Sequence, residues 1–302
     1  MPITPYPQGV SSFGVPLVGG GLIPLTGGSY FWVDSNYAGG NGAGTFDSPF
    51  STVANALTAC TASAGDVIIM KQGHAESIVA AAGWACSKIG VTIVGLGAGA
   101  LKPLITLKTS AAATILVSAA SVTFINFDTT TAVDELVTTF DVEADSCALY
   151  GVNYRETSAS YQSITWLTTT TAGTNLTVDG CRLKQVTACA GNGFAITLTG
   201  ADDARITNNF ISWLGTDNAG SGSIGMKTTA CLRVFIANNY CINMAGTTGV
   251  SILAVNSSSG LIANNRSVNP NAAGSIVLAD GCGGAENYVS AVTKGGTLDP
   301  AA

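Results

Sequence analysis

Charged side chains are scarce in this sequence: 12 Lys and Arg and 18 Asp and Glu make up 10% of 302 residues, against roughly 25% in an average soluble domain. Threonine alone, with 35 copies, outnumbers them. A chain so poor in charge and so rich in a β-branched hydroxyl residue excludes a helical bundle, a coiled coil or a charge-rich disordered tail. Strand and turn should dominate. The basic residues are dispersed and the net charge is −6, so there is no footprint for a phosphate backbone or an anionic membrane. No apolar run approaches the roughly 20 residues that span a bilayer, and Met1-Pro2-Ile3-Thr4-Pro5 lacks the basic start and apolar core of a secretion signal. The expectation is a soluble chain made in the cytoplasm, with neither nucleic acid nor membrane as partner. Metal patterns are missing too. Cys60, Cys86, Cys147, Cys181, Cys189, Cys231, Cys241 and Cys282 form no CxxC pair and His74 is the single histidine, which points to small, buried, reduced thiols, no metal and no cofactor.

Repetition is abundant. Apolar residues alternate with small ones, then meet Gly or Asn, often followed by an aromatic, as in Val122-Thr123-Phe124-Ile125-Asn126-Phe127, Arg205-Ile206-Thr207-Asn208-Asn209-Phe210 and Phe235-Ile236-Ala237-Asn238-Asn239-Tyr240. Anchors at Gly95, Asn126, Asn153, Gly180, Asn209, Asn239, Asn265 and Asn287 are 31, 27, 27, 29, 30, 26 and 22 residues apart. That period is too short for a propeller blade of about 40 residues and lacks the fixed leucines of leucine-rich repeats. A second short strand lies between anchors, such as Ile164-Thr165-Trp166-Leu167 or Phe194-Ala195-Ile196-Thr197-Leu198. Two or three strands per coil with Gly, Ser and Asn turns describe an all-β parallel β-helix. The asparagine amide donates and accepts, and tolerates the left-handed corner conformation, so stacked copies about 4.8 Å apart can bond from coil to coil. Asn126, Asn153, Asn209, Asn239, Asn265 and Asn287 are therefore expected to form a structural ladder.

Four regions follow. Residues 1–28 hold five of the nine prolines and seven glycines, a composition expected neither to form helix nor to pair regularly, yet one too apolar for an inert linker. Phe13, Val15, Leu17, Val18, Leu22, Ile23 and Leu25 would make it a partner-binding arm. Residues 29–89 supply the first strand, a Gly/Asn loop and a short helix announced by Asp47-Ser48-Pro49, whose apolar stripe of Val53, Ala54, Ala56 and Leu57 would cover the open first coil. Coils occupy 90–290, and 291–302 is a tail.

The run YFWVDSNYAGGNGAGTFDSPFSTVANAL from Tyr30, followed by GDVIIMKQGHAESI up to Ile78, resembles the opening of pectin-lyase-like right-handed β-helix proteins. With PQGVSSFGVPLVGGG at 7–21 and GVTIVGLGAGALKP at 90–103, it is similar to β-helix proteins encoded among the structural genes of tailed bacteriophages. The resemblance implies a right-handed solenoid. Its functional content is broad, because that superfamily holds lyases, hydrolases, tailspikes and inert virion components.

Polysaccharide cleavage needs two carboxyl groups about 5 Å apart for retention or roughly 6.5 to 9.5 Å for inversion. One cluster qualifies: Asp134, Glu135, Asp141, Glu143 and Asp145, in which Asp141 and Glu143 would share a strand face about 6 to 7 Å apart. It reads more simply as a charged strand edge near Arg155 and Glu156. Asp179, Asp202, Asp203 and Arg205 sit in turns without a matching partner set for a calcium-dependent lyase. His74, before Glu76, reads as a turn residue. The loop of Asp34, Asn36, Asn41 and Asp47 has oxygen ligands but no ordered calcium spacing. The drifting Thr positions do not form a regular ice-binding array. The combined expectation is a non-enzymatic virion protein with no catalytic residues, a capsid decoration subunit docked through its arm onto the major capsid protein as a homotrimer. The alternative is a tail or receptor-binding spike that binds or cleaves surface polysaccharide, with Tyr150, Tyr154, Tyr161 and Trp166 as an aromatic platform.

Overall fold

The computed structural model describes residues 10–12, 15–17, 26–187, 193–214, 221–244, 250–255, 257–270, 275–279, 281–290 and 299–300. Each repeat places three short strands on three parallel sheets. The first sheet runs from Tyr30–Val33 through Val67–Met70, Thr92–Gly95 and seven further strands to Gly281–Ala285. The second begins at Ala75–Ile78 and includes Asp128–Thr131, Asn153–Arg155, Arg182–Lys184, Phe210–Ser212, Tyr240–Ile242, Arg266–Val268 and Tyr288–Ser290. The third begins at Trp84–Cys86 and includes Ile115–Val117, Leu136–Val142, Ser163–Thr169, Phe194–Leu198 and Gly222–Met226. The coils wind right-handed, as parallel crossovers do.

Strand alternation sends one column inward and the next outward. On the third sheet Ile115, Phe140, Leu167, Ile196, Ile224, Ile252 and Ile276 stack in register inside the solenoid. Trp84, Phe127, Phe124, Phe140 and Trp166 form a continuous chain of ring contacts at 5.2 to 6.2 Å, all fully buried. Edge-to-face geometry adds about 0.5–1.5 kcal/mol per pair beyond the area buried.

The open first coil is closed by α1, Val53–Ala59, which buries Val53, Ala56 and Leu57. Its N-cap is Thr52, whose Oγ1 accepts from the Asn55 amide at 3.2 Å, so the cap lies after Pro49 rather than at Asp47 or Ser48. At the other end Asp299–Pro300 adds an antiparallel strand to Tyr288–Ser290. A proline is tolerated on such an edge because no ladder donor is needed there.

The N-terminal segment corrects one expectation. Val10–Ser12 pairs antiparallel with Val15–Leu17, so part of residues 1–28 does pair regularly. Of the arm residues, Val15 and Leu17 lie on this ribbon. Phe13, Val18, Leu22, Ile23 and Leu25 lie outside the described residues.

The corner between the first and second sheets is two residues long. Its first position is left-handed in Asn126, Gly151, Gly180, Asn208, Asn238, Asn264 and Glu286, with φ between 50° and 64°. The second position points inward and is filled by Phe127, Val152, Cys181, Asn209, Asn239, Asn265 and Asn287, each buried to 3% exposure or less.

Candidate active site

The outward column of the third sheet is Leu116, Asp141, Thr168, Thr197 and Gly225. Val142 points into the core between Asp141 and Glu143, so both carboxylates emerge on the same outer face. Asp141 is half-buried between Leu116 and Thr168, and Glu143 is exposed. Burial, and then the charge of Glu143, raise the Asp141 carboxyl above its ordinary range. A half-buried carboxyl raised above its ordinary range beside one that faces water is a pairing suited to general acid catalysis.

The rest of the acidic cluster is engaged otherwise. Asp145 accepts hydrogen bonds from Ser146 Oγ at 2.6 Å, from Thr174 Oγ1 and from Asn175 Nδ2 at 2.7 Å, which hold its carboxyl down to about 2. Asp134 and Glu135 lie in the turn before Leu136, Glu135 with φ of 51°. Asp179 accepts from Thr207 Oγ1 and Asn208 Nδ2, both at 2.6 Å. Asp202 accepts the Leu232 amide, Asp203 makes a two-point contact with Arg233, and Arg205 lies over the Phe235 ring. These groups tie coil to coil.

His74 closes the turn that begins at Lys71, its amide donating to the Lys71 carbonyl at 3.1 Å, and its side chain is fully buried. The Ser35 amide donates to Nδ1 at 2.9 Å, which leaves the proton on Nε2 to reach Glu76 Oε2 at 3.2 Å. Glu76 also accepts from the Val53 amide at the start of α1 and from Trp84 Nε1. Histidine and glutamate thus fasten loop, helix and first coil together. In the Asp34 to Asp47 loop, Asp34 faces Lys71 at 3.6 Å, and Asn41 Oδ1 accepts from Ser51 and Asn55. Among the described residues no three or more His, Cys, Asp or Glu are gathered as a cation would need. Burial pushes the thiols of Cys60, Cys181 and Cys241 up to about 12, far from nucleophilic character.

The expected asparagine ladder has four rungs, not six. Asn209 Nδ2 donates to Asn239 Oδ1 at 3.0 Å, Asn239 to Asn265 at 3.0 Å, and Asn265 to Asn287 at 3.1 Å. Each amide also donates to a strand carbonyl: Val178, Ile206, Ile236 and Ile262. Asn126 instead occupies the left-handed corner position and bonds the Gly95 and Gly97 carbonyls. Asn153 starts the next strand and bonds Asp128. The expected aromatic platform also separates: Tyr154 and Trp166 are core residues at 1% and 0% exposure, while Tyr150 and Tyr161 are 41% and 40% exposed.

A column that sequence reasoning missed lies on the second sheet, where Arg182, Phe210, Tyr240, Arg266 and Tyr288 stack in register on the outer face. The signal was the aromatic or basic residue following each late anchor.

No family model and no curated protein matches this chain. Solved structures do. A rhamnogalacturonan lyase aligns over 80% of this chain and 74% of its own with a TM-score of 0.51 at 12% identity. The fold resembles that enzyme's. A pectate lyase aligns over 92% of this chain and 79% of its own (TM-score 0.49, 14% identity), and a lacto-N-biosidase from Eubacterium ramulus over 87% and 68% (TM-score 0.42, 13% identity). The right-handed parallel β-helix is thereby shown. The expectation that the chain is not an enzyme, and the virion and capsid-decoration terms that went with it, are corrected: the solved structure it matches at a TM-score above 0.5 is that of a lyase.

Proposed function

We propose that this protein cleaves a polysaccharide laid against the outer face of the third sheet, with Asp141 as general acid and Glu143 as its partner carboxylate. The observation that carries the reading is the half-buried, outward Asp141, its carboxyl raised by burial and by Glu143. A protonated Asp141 delivers its proton to the glycosidic oxygen as the bond from that oxygen to the anomeric carbon breaks. Glu143 takes a proton from the water whose oxygen bonds to the anomeric carbon. A spacing of about 6 to 7 Å, as strand geometry gives, lies nearer the inverting than the retaining arrangement. Thr168 and Thr197 on neighbouring coils offer hydroxyls along the same column. The fold shared with an enzyme named for rhamnogalacturonan supports a polysaccharide as the substrate class.

The test is a panel of acidic and neutral polysaccharides, with and without calcium, followed for new reducing ends and for unsaturated products. Cleavage that yields reducing ends only, and that falls at least about a hundredfold in Asp141→Asn and Glu143→Gln, is expected. No cleavage across the panel, unsaturated products, or full activity in Asp141→Asn would sink the reading.

A further inference from the structure

We infer that the outer face of the second sheet is a separate binding track for an acidic polysaccharide, distinct from the Asp141 face. The polysaccharide ligand class rests on the function proposed above; the track itself rests on different residues. Arg182, Phe210, Tyr240, Arg266 and Tyr288 occupy one outward column on five successive coils. The next outward column carries Arg155 and Lys184 on adjacent coils. Four of the chain's 12 basic residues therefore share one face of an acidic protein. None of the four forms an ion pair with a described residue, whereas Lys71, Lys102 and Arg233 elsewhere each face a carboxylate. Unpaired guanidinium groups on a chain of net charge −6 leave a local positive field awaiting an anion.

The aromatic part has its own geometry. The Arg182 guanidinium lies over the Phe210 ring at 4.4 Å, and the Phe210 and Tyr240 rings are 5.6 Å apart and tilted by 57°. Tyr240 is 39% exposed, and Arg266 beside it is exposed. Asn238, Tyr240, Asn264, Arg266 and Val268 line a groove of about 560 Å³. Amide, phenol and guanidinium groups converging beside an apolar ring face suit a sugar, which presents hydroxyls at its rim and C–H groups on its faces. Arg182 and Arg266 are three rungs apart, about 14 Å at the spacing of adjacent strands. The ligand accordingly runs along the solenoid axis and carries acidic groups several sugars apart. A single-stranded nucleic acid fits less well, because the tilted rings offer no flat stack for bases.

Affinity electrophoresis of the full chain in gels containing dextran, dextran sulfate, alginate or oligo-dT tests this. Dextran sulfate and alginate should both retard the protein, sulfate and carboxylate sources giving separate arms, with retardation relieved by added salt. Dextran and oligo-dT should not. Arg182→Gln with Arg266→Gln, and separately Tyr240→Ala, should weaken binding at least tenfold at unchanged melting temperature, while Asp141→Asn binds as the wild type does. Equal retardation by dextran, stronger retardation by oligo-dT, no retardation by either acidic polymer, or full binding in the folded arginine variant would overturn the track. Loss of cleavage with retained binding would fault only the Asp141 reading.

Discussion

The two halves of the solenoid solve the same corner in opposite ways. In the earlier coils the inward corner position holds Phe127, Val152 and Cys181, backed by the ring chain from Trp84 to Trp166. In the later coils it holds Asn209, Asn239, Asn265 and Asn287, and a second buried polar group of Ser251, Ser267 and Ser275 lies inside. Apolar packing is non-directional and tolerates coils of unequal shape. An amide ladder fixes spacing, because each rung accepts the backbone amide of the preceding coil while donating to a strand carbonyl. The later half is thus held by directional bonds, where one missing rung leaves both neighbours short of a partner.

Mutations sharpen this contrast, and the largest effect belongs to the apolar half. Trp166→Ala should destabilise by about 3–5 kcal/mol through the cavity left against Phe140, read by chemical denaturation. Asn239→Ala should cost about 1–3 kcal/mol, since Asn209 Nδ2 and the Ile206 carbonyl lose their partner; a cost equal to that of Trp166→Ala would erase the distinction. Glu156 lies in another inward column, followed by Gln185, Trp213 and Asn243 on later coils. Its Oε2 accepts from Val186 and Thr187 while Oε1 has no hydrogen-bond partner among the described residues. Glu156→Gln should therefore raise stability at neutral pH by up to about 1 kcal/mol, and a loss in thermal unfolding would show that the carboxylate itself is required.

Surface carboxylates give smaller, pH-dependent effects of opposite sign. The Asp141 carboxyl is raised on folding, so its ionisation is disfavoured in the native state. Wild-type stability should fall as pH rises from the ordinary carboxylate range through the raised value. Asp141→Asn should remove that slope and stabilise the protein slightly at neutral pH while abolishing cleavage. Asp145, held down to about 2, contributes stability that is present above the ordinary value of about 3.9 and lost as pH falls toward 2. Asp145→Ala should flatten the acid limb of the stability profile; an unchanged limb would assign that limb to other groups.

Most of the solenoid was legible because side-chain alternation and a regular repeat are local properties. The ladder was legible only in part. Where Asn208-Asn209, Asn238-Asn239 and Asn264-Asn265 come in pairs, one asparagine takes the left-handed corner and the next turns inward, so either alignment finds a rung. Asn126 stands alone at the left-handed position, and a shift of one residue sends a side chain to the opposite face. Strand alternation also failed at Thr165, Trp166 and Leu167, which are all buried. The aromatic platform was lost because Trp166 is among them and Tyr154 is the inward residue of a second-sheet strand.

The sequence by itself determined the parallel β-helix and the capping helix over Val53 to Leu57, and it placed Asp141 and Glu143 on one strand face without making them catalytic, since each depends on spacing along the chain. Tertiary structure alone decided which residues meet between coils. It gave His74 its buried place between Ser35 and Glu76, set Arg182, Phe210, Tyr240 and Arg266 in one column, and raised Asp141 by enclosing it between Leu116 and Thr168. The reason is register: neighbours across a parallel sheet are separated by a whole coil of variable length, and only the completed winding fixes which rung each residue occupies.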